Sequence, residues 1–210
     1  MIPRTVLERA ETELARTDEA LAALIARHGP CQLGQRTRPA FHVLCTSIIN
    51  QQLSTKAADA IQDRVAGLLG APLFTPAAFR GIEAERLRAV GLSRSKSRWL
   101  IDIAARVDRG EFSFAELAQM EDERAIATLD ALPGIGRWSA EMFLIFALDR
   151  LDVFSLGDVG LRRGVARLHH GGKPMSDRQT LRVVKRWAPW RSVASWFLWR
   201  IDDTDAGAWA

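Results

Sequence analysis

The sequence contains no tyrosine and only two cysteines, Cys31 and Cys45. Two thiols cannot staple a disulfide scaffold, and they are too few for a four-cysteine zinc or iron–sulfur site. Their scarcity fits a reducing compartment. No apolar run approaches the roughly 18 residues that a membrane span needs. The N-terminal stretch MIPRTVLERAETELA is charged throughout and has no signal-peptide core. These absences predict an intracellular protein with no membrane partner. No internal repeat or low-complexity tract recurs. Alternating β-branched residues are also scarce. The one strand candidate, LDVF at 151–154, is four residues long.

What is there is enough for a packed core. Of 210 residues, 48% are hydrophobic and 26% charged. Lys and Arg number 29 against 25 Asp and Glu, for a net charge of +4, which mildly favours an anionic partner. Hydrophobic spacing is helical along almost the whole chain. It predicts one or two helices over 4–28, a loop over 28–39, and an apolar helix over 40–52. A helix over 55–69 can start at Ser54 and stop at Gly70. LFTPAAFRGI and AERLRAVGL predict two short helices, Ser93 can cap a helix over 94–108, and SFAELAQM and DERAIATLDAL continue the pattern. The fold class is all-α.

Residues 125–148 read AIATLDALPGIGRWSAEMFLIFAL. A helix running into Leu132 is stopped by Pro133, and a second starts near Arg137. Gly134 and Gly136 permit positive φ and a close approach of another backbone. The amides around Gly134, Gly136 and Arg137 then sit at a helix N-terminus, which suits a phosphate. A plain helical hairpin with a glycine turn would give the same string.

LDVFSLGDVGLRRGVARL follows at 151–168. Asp158 precedes a predicted helix from Val159. As a helix N-cap it needs no further explanation. The same position also keeps a carboxylate charge at the positive end of a helix, where it can face a developing cation.

The string LPGIGRWSAEMFLIFALDRLDVFSLGDVGLRRG resembles the motif of the helix–hairpin–helix DNA glycosylases. SIINQQLSTKAADAI, GLSRSKSRWLIDIA and WAPWRSVASWFLWR resemble the alkylation-repair branch, the 3-methyladenine DNA glycosylase II type. The likeness runs from Pro39 to Arg200. It implies a two-lobed helical fold with a cleft. One lobe would span 38–150, and the other would combine 1–37 with 151–210 and carry the catalytic Asp.

The resemblance also implies an activity. The enzyme would flip a damaged base out of double-stranded DNA and hydrolyse its N-glycosidic bond, in base excision repair. Alkylated purines such as 3-methyladenine and 7-methylguanine are the implied substrates. Asp158 takes the place of the family's catalytic Asp. Trp138 and Trp199 match base-pocket aromatics, and Met142 stands where some relatives place a pocket tyrosine. Trp138 also occupies the place of the Schiff-base lysine of bifunctional relatives, which implies a monofunctional enzyme. Gln52 matches the residue that fills the gap left by the flipped base, with Leu53 as the neighbouring alternative. Ser54 and Lys56 match backbone contacts.

No cofactor is implied, and the absence of cysteine after Arg200 excludes the iron–sulfur loop of other branches. A structural monovalent cation, Na or K, on the main-chain carbonyls of Asp130, Leu132 and Ile135 is implied, as is a monomer. Ser155 departs from the proline common in relatives and should loosen the turn before Asp158. Two other readings stay open: a glycosylase for hypoxanthine or ethenoadenine, and a non-catalytic module that binds DNA structure. His169 and His170 read as a solvated helix end, and the histidines form no ligand set.

Overall fold

The computed structural model describes residues 1–35 and 38–201. Every regular element among them is helical. The chain divides into two compact units, one from Arg38 to Phe143 and one from the segments before and after it. The second crossing falls between Phe143 and Leu144, where the sequence placed a boundary at 150.

The interrupted unit begins with α1 (Arg4–Thr17) and α2 (Glu19–His28). The break between them is Asp18, which leaves the helical region and caps α2 by accepting from Leu21 N–H at 3.2 Å. The unit resumes with the end of α9 (Arg137–Phe146), followed by α10 (Val159–His170), α11 (Asp177–Val184) and α12 (Arg191–Leu198). Helix α12 packs on α1, α2 and α10. It is buried from Ser192 to Leu198: Val193, Ala194, Trp196, Phe197 and Leu198 are apolar, and the Ser192 and Ser195 hydroxyls donate to backbone carbonyls. LDVF is not a strand; Val153 is buried there, bonded to the Ser192 hydroxyl.

The continuous unit holds α3 (Ala40–Asn50), α4 (Thr55–Leu69), α5 (Ala84–Ala89), α6 (Arg94–Asp108), α7 (Phe114–Gln119) and α8 (Asp122–Asp130), with most of α9. Ser54 caps α4 and Gly70 ends it in the left-handed conformation. Ser93 caps α6. The segment at Pro76–Phe79 is a 3-10 turn rather than a full helix, because proline and four residues leave no room for an α-helical ladder. Phe41, Phe74, Phe79, Phe112, Phe114 and Phe143 form its aromatic core through mostly edge-to-face contacts.

Candidate functional site

In the interrupted unit, the features of interest meet where α10 begins and α12 ends. Asp158 is the N-cap of α10, and its Oδ1 accepts the Leu161 N–H at 2.8 Å. Its own N–H closes a turn onto the Ser155 carbonyl at 3.2 Å. Ser155 is fully buried, so the turn expected to be loosened is packed in place. Trp199, at the end of α12, donates its indole N–H to Asp158 Oδ1 at 3.3 Å. The indole stacks on Phe146, with ring centroids 5.5 Å apart and planes inclined by 30°.

Two glycines on one face of α10 allow this approach. A Cβ on Gly164 would lie 3.1 Å from the Leu198 side chain. A Cβ on Gly160 would lie 3.1 Å from Asp158 Oδ1 and 3.4 Å from the Trp199 ring. The carboxylate is only 9% exposed, so its charge sits in a partly desolvated place beside a helix N-terminus. Charges in such a place act more strongly than in water.

In the continuous unit, α8 stops at Asp130 rather than running to Leu132, and α9 starts at Arg137. Between them Ile135 N–H bonds the Leu132 carbonyl at 3.2 Å, and Gly134 has φ +83°. Gly136 does not need the left-handed region, and a Cβ there would meet nothing within 4 Å. The constraint lies at Gly134. A Cβ there would come within 2.3 Å of the Trp99 ring. Ala140 N–H bonds the Gly136 carbonyl, so the amides of Arg137, Trp138 and Ser139 lie ahead of the first intrahelical bond of α9. The Arg137 guanidinium is held by two carboxylates, Glu123 at 2.8 Å and Glu141 at 2.9 Å. Trp138 is 36% exposed, whereas Met142 is buried.

The turn after α3 lies against this hairpin. Helix α3 ends at Asn50, two residues before the expected stop, and Gln52 takes a left-handed φ of +59°. Few non-glycine residues do so, and it presents Gln52 and Leu53 on the surface. Gln51 Nε2 donates to the Gly134 carbonyl at 2.8 Å. Lys96 Nζ donates to the carbonyls of Ile49 at 2.8 Å and Gln51 at 2.6 Å. Burial pushes the Lys96 ammonium below its ordinary pKa. Ser54 accepts from Ala57 N–H at 3.4 Å as the cap of α4, and Lys56 is exposed beside it.

Sequence reasoning missed this bracing by Gln51, Lys96 and Trp99. GLSRSKSRWLIDIA carried the resemblance as a string but did not say what its lysine and tryptophan touch. It also missed Asp18. This buried carboxylate accepts from the indole of the fully buried Trp187 at 2.8 Å and lies 3.4 Å from Arg186 Nη2. His169 is therefore not part of a solvated helix end. Its Nε2 lies 3.2 Å from Asp18 Oδ2 without hydrogen-bond geometry, and burial lowers its pKa while Asp18 opposes the shift. Among the described residues no cluster of His, Cys, Asp and Glu could hold a metal ion. No described helix is long and apolar enough to cross a membrane.

Comparison with known proteins places the chain in a family. Residues 45–190 match the model of the HhH-GPD superfamily base excision DNA repair proteins. The chain is 34% identical to DNA-3-methyladenine glycosylase 1 of Schizosaccharomyces pombe over 201 residues, covering 93% of this chain and 88% of that protein. A DNA-3-methyladenine glycosidase structure from Bacillus halodurans superposes with a TM-score of 0.84 at 38% identity, over 93% of this chain and 89% of that one. A 3-methyladenine DNA glycosylase of Schizosaccharomyces pombe, in complex with abasic DNA, superposes with a TM-score of 0.80 at 32% identity, over 91% and 95%. The chain belongs to the HhH-GPD superfamily of base excision DNA repair proteins.

Proposed function

We propose that this protein is a monofunctional DNA glycosylase that flips alkylated purines from duplex DNA and hydrolyses their N-glycosidic bonds. The observation that carries this reading is the Asp158 carboxylate, held at the start of α10 by the Leu161 amide and the Trp199 indole. A plain N-cap needs the first of these bonds and not the second.

Cleavage of the bond between sugar C1′ and the base nitrogen leaves an oxocarbenium-like sugar. The bonding electrons go to the alkylated base, whose positive charge they neutralise, so no strong general acid is required. Asp158 opposes the sugar cation and orients the water that adds to C1′; the water's proton passes to the carboxylate or to solvent. A charge pair at ~4 Å and an effective dielectric near 20 is worth about 4 kcal/mol, on the order of a thousandfold in rate. Trp199 offers an aromatic face to a cationic base, worth about 0.5–2 kcal/mol.

In the other unit, the exposed indole of Trp138 is proposed to contact the base. Tryptophan cannot form a Schiff base, so strand cleavage is not expected. Met142 is proposed to shape the pocket from the interior. Gln52, with Leu53 beside it, is proposed as the wedge. The amides at Gly134, Gly136 and Arg137, with Ser54 and Lys56, would contact the DNA backbone. The neutral carbonyl oxygens of Asp130, at the end of α8, and of Leu132 and Ile135, in the turn after it, are the donor type that suits a monovalent cation, and would hold Na or K there as a structural ion.

The test is base release from methylated duplex DNA by wild type and Asp158→Asn, with affinity measured alongside. Asparagine caps a helix as well as aspartate does, so the fold should survive. Release by wild type and a loss on the order of a thousandfold in the variant, with DNA binding kept, is the expected result. Equal DNA binding with no release of alkylated bases by either protein would overturn the reading.

A further inference from the structure

The proposed chemistry uses only the first turn of α10, yet the outward face of the helix continues beyond it. Val159, Arg162, Arg163 and Arg167 recur at helical spacing on that face, with Ala166 buried between them. With Gly172, Pro174 and Met175 they line an open groove of about 580 Å³. Arg162 forms the link to its second wall, bonding Asp177 at 3.0 Å and the Met175 carbonyl at 3.5 Å. Arg163 and Arg167 are exposed. Arg162, Arg163 and Arg167 thus line the groove together with Val159, Ala166, Pro174 and Met175.

We propose that this groove is a DNA-backbone surface that takes the phosphates of the strand flanking the target nucleotide. The inference rests on the glycosylase reading, because it takes Asp158 to mark the target. The alternation of arginines with apolar residues matches a sugar-phosphate chain, in which charged and apolar groups also alternate. The groove is continuous with Asp158 through the adjoining Val159. Nine residues at about 1.5 Å each put Arg167 about 14 Å along the helix from Asp158. At about 3.4 Å per nucleotide, that reach covers about four nucleotides.

Salt dependence reads the contact directly. Affinity for a methylated duplex is measured between low and physiological salt for wild type, for the double variant Arg163→Ala with Arg167→Ala, and for Arg86→Ala with Arg88→Ala. The last pair removes the same charge from exposed positions on α5. Thermal unfolding confirms that each variant folds. Each lost phosphate contact lowers the slope of log affinity against log salt by about 0.9, so the α10 variant should lose about 2 and the α5 variant nothing. Shortening the duplex on one side of the lesion should erase the difference from wild type, and shortening the other side should not. An unchanged slope would overturn the proposal, whether the groove serves an acidic protein or nothing, and so would an equal loss in the α5 variant. Base release by wild type is scored in parallel. If none occurs while the α10 variant still loses slope, the glycosylase reading fails and the DNA surface stands.

Discussion

The Gln51 side-chain amide donates to the Gly134 carbonyl at 2.8 Å, joining the turn after α3 to the glycine turn before α9. The proposed wedge and the proposed phosphate contacts therefore move as one piece. Replacing Gln51 by alanine removes one hydrogen bond, worth about 0.5–1.5 kcal/mol. Affinity for DNA with a lesion or abasic site should fall by about two- to twelvefold, since 1.4 kcal/mol is a factor of ten. Titration against abasic and undamaged duplexes checks this. The loss should be larger on abasic DNA, where the wedge is engaged.

Gly134→Ala should be severe. Its Cβ would meet the Trp99 ring at 2.3 Å in a left-handed conformation that alanine avoids. Strain and overpacking together should cost about 2–4 kcal/mol. Trp99→Leu should recover part of that loss, because it removes the ring. Denaturant unfolding of the single and double variants separates the two contributions.

Gly160→Ala tests the pairing of Asp158 and Trp199. The new methyl would press on both, at 3.1 Å and 3.4 Å. Stability should change by less than about 1 kcal/mol, since alanine favours helix over glycine. Base release should drop about ten- to a hundredfold, as expected when a catalytic group is displaced by a fraction of an ångström to one ångström. Unfolding and single-turnover release, measured on the same protein, give both numbers.

Stability should fall in mild acid. His42 is buried, its Nδ1 accepts the Phe74 N–H at 3.1 Å, and burial with nearby Arg38 lowers its pKa. His169 is shifted the same way. A histidine with a lowered folded pKa is uncharged in the native state while its unfolded form takes up a proton. Its contribution is complete above the unfolded value near 6.5 and declines as pH falls toward the folded value. The urea midpoint should therefore drop between pH 7.5 and 5.5. His42→Gln should show a shallower drop over that range.

The two thiols should be inert while the protein is folded. Burial pushes Cys31 up to about 12, and raises Cys45 well above its ordinary value. The thiolate is the reactive form, so alkylation at pH 8 should proceed only on unfolding. Counting labelled cysteines by mass in buffer and in urea tests this.

Much of this architecture was legible in the chain because its signals are local. Ser54, Gly70, Ser93 and Asp158 act within a few residues of themselves, and each caps or ends the helix that the sequence assigned to it. The family motif also marked Asp158, Trp199 and the hairpin as strings. What stayed hidden depends on partners far along the chain. Nothing near Asp18 announces a bond to an indole 169 residues away. Nothing near Gln51 announces Gly134, and the hydrophobic spacing of α3 could not show a left-handed Gln52 cutting the helix short. Nothing near Arg137 announces that its guanidinium is held by Glu123, fourteen residues earlier in the chain.

The bond between Asp18 and Trp187 bears on the order in which the chain matures. The continuous unit is complete once Phe143 has been synthesised, and its helices then have all of their own partners. Helices α1 and α2 are made before that unit but finish after it. Their apolar faces wait for α12, and Asp18 waits for the indole that answers its charge. Closing so long a span is slow relative to local helix pairing. During synthesis the N-terminal pair is thus the segment left open longest to chaperones and proteases, and residues 187–198 end that exposure.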